Sequence, residues 1–260
     1  MAKTKIAWCD YTFNPWVGCT RVSTGCEICY AEQLMDKKYH YTQWGPLGIR
    51  RKTKTWDNPI QWNALAKSEG TRYKVFCASL SDVFEIKINQ PELNIWRNEL
   101  WELINQCDYL DWLLLTKRIE NVTSMVPNSW LSSPKPNIWL GISCEDQENA
   151  VKRIPILVGI PACIRFLSLE PLLGPINLYE SGAFHILSSD EGTSWYEKLV
   201  DWVIVGGESQ IGCRPMNTEW AIDIRQECEL ARIPFFMKQL GGHPDKHHDV
   251  TKFPELLRVQ

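Results

Sequence analysis

Six short apolar runs recur along the chain, and each ends in a cluster of polar residues. KVFCASLSD is apolar from Val75 and reaches Ser79, Ser81 and Asp82; DWLLLTKR reaches Thr116, Lys117 and Arg118; NIWLGISCED reaches Ser143, Glu145 and Asp146. CIRFLSLEP reaches Ser168 and Glu170, DWVIVGGES reaches Gly206, Gly207, Glu208 and Ser209, and IPFFMKQ reaches Lys238 and Gln239. Runs this short, β-rich and bounded by turn residues predict buried strands. Between several of them the period lengthens to that of a helix. Pro91 to Gln106 opens on proline and carries Leu93, Ile95, Trp96, Leu100, Leu103 and Ile104. Glu219 to Ala231 and the segment DQENAVKRIPIL after NIWLGISCED predict two more helices.

Strands that alternate with helices imply a parallel sheet with right-handed crossovers. A first strand at Lys5–Trp8 or Tyr11–Phe13 brings the number to about seven, short of a closed eight. The expected fold is α/β: an incomplete (β/α) TIM-like barrel with roughly six to seven parallel strands, with a doubly wound open sheet as the alternative. In both, function gathers at the carboxyl ends of the strands, where the polar clusters lie. One such cluster is as readily a loop cap as a site; six together predict a functional face.

Residues 1–260 are expected to form a single domain, since a core of this size can be one barrel. Residues 39–62 interrupt the alternation as an insertion, and 181–199 form a second excursion. The insertion is basic and aromatic: Arg50, Arg51, Lys52 and Lys54 stand among Trp44, Trp56 and Trp62. That mixture can grip a phosphate backbone and stack a base, which makes Arg50, Arg51, Lys52 and Trp56 candidate substrate contacts, with Gln239 at the strand ends. Its structural alternative is a solvated loop anchored by buried tryptophans.

The formal charge of 28 minus 31, or −3, gives no global reason to expect a polyanion binder. The first residues lack a signal-like apolar run and no stretch of about 18 apolar residues occurs, so the expectation is a cytoplasmic protein with no membrane association. In that reducing setting ten cysteines point to metal binding or thiol chemistry rather than disulfides. The GGHPDKHHD tail holds three of the five histidines and reads as a solvated loop, and VGGES lacks the spacing of a phosphate-binding loop.

Three of the cysteines stand within eleven residues. Cys19, Cys26 and Cys29 are spaced C-x6-C-x2-C, with Gly18 and Gly25 preceding the first two so that the backbone can fold closely around a centre. Four chemistries compete. A structural zinc wants a fourth ligand, from Cys9, His40 or the tail histidines. A four-iron cluster on three cysteines leaves one iron open. Cys26 and Cys29 make a redox pair, or the thiols simply pack.

The ordered set FNPWVGCTRVSTGCEICYAE, SLSDVF, LLTKR, NIWLGISCEDQ, RFLSLEPLLGPI, WVIVGGES…RPM and PFFMKQLGG resembles the phage-type three-cysteine-motif proteins, from about Lys5 to Gly242. That family looks like a divergent branch of the radical S-adenosylmethionine enzymes, whose usual motif is C-x3-C-x2-C. The first gap here is six. The resemblance implies a partial barrel, a 4Fe-4S cluster held by Cys19, Cys26 and Cys29, and S-adenosylmethionine on the open iron. It also implies an external electron donor and, in some relatives, a separate three-Cys-motif partner protein. The substrate is unspecified, with a nucleic acid or nucleotide suggested by the insertion. The competing reading is a non-catalytic zinc- or cluster-stabilised nucleic-acid-binding or accessory protein.

Under that resemblance Tyr30, Ser81, Asp82, Lys117, Arg118, Ser143, Glu145, Glu170, Gly206, Gly207 and Glu208 become candidate cofactor-binding residues. Ser81 and Asp82 would take the methionine ammonium, Lys117 or Arg118 its carboxylate. Glu170 and Glu208 would take ribose hydroxyls or the ammonium, and Gly206 and Gly207 would let backbone approach the ligand. Lys238 would face the substrate. Cys144 is a candidate hydrogen-atom donor, with packing the more economical reading. The structural alternatives are a turn cap for Asp82, solvation for Lys117 and Arg118, and a neighbouring base for Glu170.

Overall fold

The computed structural model describes residues 3–189 and 194–258. Eleven strands occur among them: β1 (Tyr11–Thr12), β2 (Trp16–Val17), β3 (Arg51–Lys52), β4 (Tyr73–Cys77), β5 (Leu110–Thr116), β6 (Ile138–Ser143), β7 (Ile164–Leu169), β8 (Phe184–Ser188), β9 (Ser194–Lys198), β10 (Trp202–Gly206) and β11 (Phe235–Gln239). The α-helices are α1 (Tyr30–Glu32), α2 (Asn58–Glu69), α3 (Glu92–Gln106), α4 (Val122–Met125), α5 (Asn128–Ser132), α6 (Gln147–Gly159) and α7 (Thr218–Leu230).

All six apolar runs became strands of one seven-stranded sheet, in the order β1-β4-β5-β6-β7-β10-β11. The pairs β1–β4, β4–β5, β7–β10 and β10–β11 run parallel. The order follows the chain without a reversal. A doubly wound sheet reverses its order at a switch point, so this topology is that of an incomplete (β/α) barrel, with seven strands in the sheet among the described residues. Of the two places for the first strand, Tyr11–Thr12 forms it, through Tyr11 opposite Val75 and Thr12 opposite Phe76.

The chain divides into two compact units. The first is Met1–Ser23, Cys29–Leu140 and Pro161–Cys163; the second is Thr24–Ile28, Gly141–Ile160 and Ile164–Gln260. In the first, β4 and β5 bury Val75, Cys77, Trp112, Leu113 and Leu114 almost completely, as strands covered on both faces do. Helix α3 starts behind Pro91 and buries Leu93, Leu100, Leu103 and Ile104, the stripe its period predicts. Helix α2 begins inside the expected insertion, with Pro59 in its first turn and Gly70 closing it in the left-handed conformation. The rest of that insertion contributes β3, which pairs antiparallel with β2.

In the second unit, α6 is capped by Asp146, whose carboxylate accepts the Asn149 amide, and α7 by Asn217, which accepts the Glu219 amide. Both begin within a residue of the segments expected from the sequence. The second excursion, 181–199, contains the antiparallel hairpin β8–β9, and part of it lies outside the described residues. None of the described helices is long and apolar enough to cross a membrane.

Candidate functional site: a clamped cysteine loop

Within the first unit, Cys19 and Cys29 pack against one small apolar cluster of Val17, Ala31 and Trp44, together with Met35 and Leu80. The backbone around Cys19 is held on every side. The Gly18 amide donates to the Leu80 carbonyl (3.1 Å), and the Cys19 carbonyl accepts from the Gly45 amide (2.9 Å). Two buried arginines then grip the next residue. Arg118 donates through Nη2 to the Thr20 carbonyl (2.6 Å) and Arg50 through Nη2 to the Thr20 hydroxyl (2.6 Å).

These arginines are part of a buried ionic network. Arg50 forms a bidentate pair with Glu85, at 2.8 Å from Nε and 2.6 Å from Nη2. Its Nη1 donates to the Gly45 and Gly48 carbonyls, so all five guanidinium N–H groups are engaged. Arg118 pairs with Asp82 at 2.9 Å and lies 3.8 Å from Glu85. Arg118 Nη1 also donates to Cys19 Sγ at 3.6 Å. Burial works against the Arg118 charge, but Asp82, the Cys19 sulfur and Glu85 outweigh it and hold the guanidinium pKa above its ordinary value. Asp82 also accepts from the Thr116 hydroxyl and from the Phe84 and Lys117 amides. Its oxygens are thus committed to the turn and to Arg118. On the far side of the loop Arg21 forms a bidentate pair with Glu32, at 2.9 and 2.8 Å, linking the residues that follow Cys19 to the helix that follows Cys29.

The middle of the loop, Thr24–Ile28, belongs to the second unit and includes Cys26 in a turn of 3-10 helix. Here too strand-end charges hold it. Glu145, fully buried, accepts the Gly25 amide at 3.3 Å and is itself paired with Arg153 at 3.1 Å. Arg214 makes a fork with Glu208 (Nε at 3.0 Å, Nη2 at 2.5 Å), then reaches the Thr24 carbonyl at 3.0 Å and the Glu27 carboxylate at 2.9 Å. The hydrogen bond to Glu208 raises the Arg214 pKa against the cost of burial. Gly25 is required for contact with Glu145: a Cβ there would stand 3.0 Å from Glu145 Cδ. At Gly18, with φ +112°, a Cβ would likewise stand 3.0 Å from Arg50 Cδ. The two glycines serve close approach, as the sequence suggests, but toward buried charged side chains.

Several expectations change accordingly. Arg118 and Glu145 bond the polypeptide that carries the thiols, and Asp82 and Glu208 hold the arginines Arg118 and Arg214 that reach it. Arg214 escaped the sequence reading altogether; its signal was the RPM that follows GGES. Glu170 has the neighbouring base anticipated as its alternative: Lys238 Nζ lies 2.5 and 2.8 Å from its oxygens, and Gln239 Nε2 is 3.4 Å away. Gln239 is buried and donates mainly to the Gly207 carbonyl at 2.8 Å, and is therefore no surface contact for a substrate. Gly206 would set a Cβ 3.3 Å from Glu170 Cδ, and Gly207 one 2.3 Å from the Leu240 carbonyl oxygen. The Ser143 hydroxyl donates to the Glu170 carbonyl. The Tyr30 hydroxyl donates to the Ser79 carbonyl, and Ser79 is bonded in turn by Asn14. Ser81 Oγ is buried with no hydrogen-bond partner among the described residues. Cys144 is fully buried, its Sγ 3.7 Å from the Asn149 carbonyl oxygen, which accords with packing.

In the insertion, Arg50 is not a surface cation at all. Its chemistry is spent on Glu85, Thr20 and two carbonyls, because a buried guanidinium is tolerable only when paired and fully bonded. Trp56 stands edge-on to Phe13, at 5.5 Å between centroids, and packs under Lys52, whose Nζ is 4.6 Å from the ring centre. Lys52 also pairs with Glu99. Arg51 remains exposed, 5.6 Å from the ring of Tyr41.

The donors offered by the loop are three thiols, the ligand type of iron–sulfur clusters, and by chemistry they fit one. Among the described residues no three or more His, Cys, Asp or Glu stand together as a single-ion site.

The fold and this loop define a protein of the incomplete (β/α)-barrel class that carries a clamped three-thiol loop fixed by its strand-end charges. The chain belongs to the family described as protein of unknown function DUF5131, whose model matches residues 3–255. No curated protein matches it. Among solved structures it is similar to a spore photoproduct lyase variant with bound AdoMet and dinucleoside spore photoproduct, at 13% identity and a TM-score of 0.43, over 65% of this chain and 47% of that one. It is also similar to a second spore photoproduct lyase variant, at 12% identity and a TM-score of 0.45, over 90% of this chain and 77% of that one. The chain thus spans about half the length of the first of these.

Proposed function

We propose that the chain is a radical S-adenosylmethionine enzyme that holds a 4Fe-4S cluster through Cys19, Cys26 and Cys29. The observation that carries this reading is the number of charged side chains, most of them buried, that hold one loop. Arg50 and Arg118 fix Thr20, Glu145 fixes Gly25, and Arg214 fixes Thr24 and Glu27. A loop whose thiols only packed would not need its backbone held from so many sides by groups that are costly to bury. When bound, the cluster supplies the electron that cleaves S-adenosylmethionine to methionine and a 5′-deoxyadenosyl radical, which takes a hydrogen atom from the substrate.

The chain's own residues prepare for that chemistry. Arg118 places a positive charge against Cys19 and so favours negative charge on the sulfur. The Arg21–Glu32 pair ties the residue two past Cys19 to the turn that follows Cys29. Lys238 neutralises Glu170, and the exposed part of that pair is available to a polar cofactor group. Ser81 offers an unengaged hydroxyl at the end of β4. An external electron donor completes the system, and the resemblance to three-cysteine-motif proteins leaves room for a protein partner.

Anaerobic purification with iron and sulfide analysis, followed by dithionite and S-adenosylmethionine, tests the proposal. About four irons per chain and release of 5′-deoxyadenosine support it. Ala at Cys19, Cys26 or Cys29 singly should abolish iron binding, and Cys107→Ala should not. A colourless protein with one zinc overturns it.

A further inference from the structure

Away from the cysteine loop, the first unit carries an open groove of about 530 Å³ between the strand β3 and the start of α3. Its lining includes Tyr41 and Trp96, the cationic residues Arg51 and Lys52, Asn89, and one acidic residue, Glu92. Two of these groups are uncommitted. Among the described residues Arg51 makes no ion pair and no side-chain hydrogen bond; its guanidinium is 5.6 Å from the Tyr41 ring centre. The Asn89 side chain likewise has no partner there. Lys52, by contrast, is tied to Glu99, and Gln90 is used on both sides by the backbone of Arg50.

We propose that this groove binds a nucleoside phosphate unit, with the base against Tyr41 and Trp96, the phosphate on Arg51, and Asn89 positioned for a base edge. Tyr41 and Trp96 offer aromatic surface to a planar group, the Arg51 guanidinium offers a contact to an anion, and the Glu92 carboxylate calls for a donor of its own, such as a sugar hydroxyl. A net charge of −3 provides no long-range attraction for a polyanion. Recognition is therefore local, one or two nucleotide units rather than a duplex track. The proposal goes beyond the function proposed above and does not depend on it.

The unit has two sources, a free nucleotide or a residue within a single-stranded nucleic acid, and the assay separates them. Binding to the full chain is measured by calorimetry without S-adenosylmethionine or reductant, so failure of the cluster chemistry leaves the result intact. The probes are the four common 5′-mononucleotides, ribose 5-phosphate, ten-residue single-stranded DNA and RNA, and an acidic peptide of equal charge. Saturable binding of a mononucleotide assigns the free ligand; binding of an oligonucleotide alone assigns the polymer. In either case Arg51→Ala and Tyr41→Ala should each weaken binding about 10-fold, Tyr41→Phe should restore it, and ribose 5-phosphate should bind at least about 10-fold more weakly. Both residues are exposed, so loss of fold does not explain such losses. Absence of nucleotide and oligonucleotide binding, indifference to both alanine substitutions, or equal binding of the acidic peptide overturns the proposal.

Discussion

Replacing Arg50 with Met should unfold the first unit far more readily, and the size of the effect follows from what surrounds the guanidinium. Both side chains of the Arg50–Glu85 pair are essentially sealed from water, at 0% and 2% exposure. Removing one partner of such a pair leaves a buried charge, at about 3–5 kcal/mol. The Gly45 and Gly48 carbonyls and the Thr20 hydroxyl lose donors as well. Arg118 Nη2, 3.8 Å from Glu85, offsets part of this. A loss near 4 kcal/mol at an m-value of about 3 kcal/mol/M lowers the urea midpoint by about 1.3 M. The double substitution Arg50→Met with Glu85→Leu removes both charges and leaves only neutral acceptors wanting, so it should be more stable than Arg50→Met by about 1–3 kcal/mol. Paired urea titrations followed by tryptophan fluorescence measure both. If Arg50→Met shifts the midpoint by less than about 0.3 M, or the double variant is the weaker of the two, the account of Arg50 as a paired, buried clamp is wrong.

Arg214→Ala should release Thr24 and Glu27 and lower iron per chain several-fold, and because it leaves the buried Glu208 carboxylate with only the backbone amide of residue 214, it should also cost about 1–3 kcal/mol of stability; metal analysis beside a urea denaturation curve reads both. Gly207→Ala forces a Cβ to 2.3 Å from the Leu240 carbonyl oxygen, and since backbone must move, a loss of about 2 kcal/mol or more is expected in thermal melts. The Tyr73 hydroxyl donates to Glu69, and that bond, with burial and the Glu69 charge, pushes its pKa up to about 12 from an ordinary 10. The protonated form is the one folding favours, so this contribution is full below pH 10 and lost as pH rises from 10 to 12. Tyr73→Phe should flatten that part of the pH–stability profile, and an unchanged alkaline limb would contradict the assignment.

Much of the fold was legible because burial in a parallel sheet leaves a direct mark on composition. A strand covered on both faces must be apolar almost throughout, so Val75, Trp112, Leu140, Phe166, Val203 and Met237 announce themselves in runs. The helix α3 was equally plain from its stripe. Helix α2 was not, because it mixes Trp62 and Ala66 with polar residues and starts within a basic aromatic stretch that reads as a loop.

For the site, the residue types at the strand ends and the three thiols of one short loop can be read from the chain alone. It fixed the chemistry available: thiols, carboxylates and guanidinium groups near one another in kind. What those charges face depends on how the chain closes on itself. Asp82 and Arg118 lie 36 positions apart, Arg50 and Glu85 35, and Gly25 and Glu145 120. Nothing local says whether a carboxylate at a strand end looks toward a ligand or toward a distant backbone amide. Electrostatic energy depends on distance in space and on the water excluded around the pair, and both are set by chain closure. The same arginines that looked like a nucleic-acid grip therefore divide: Arg50 is sealed inside to hold the cysteine loop, and Arg51, one residue on in an extended strand and so on the opposite face, is left in solvent beside an aromatic ring.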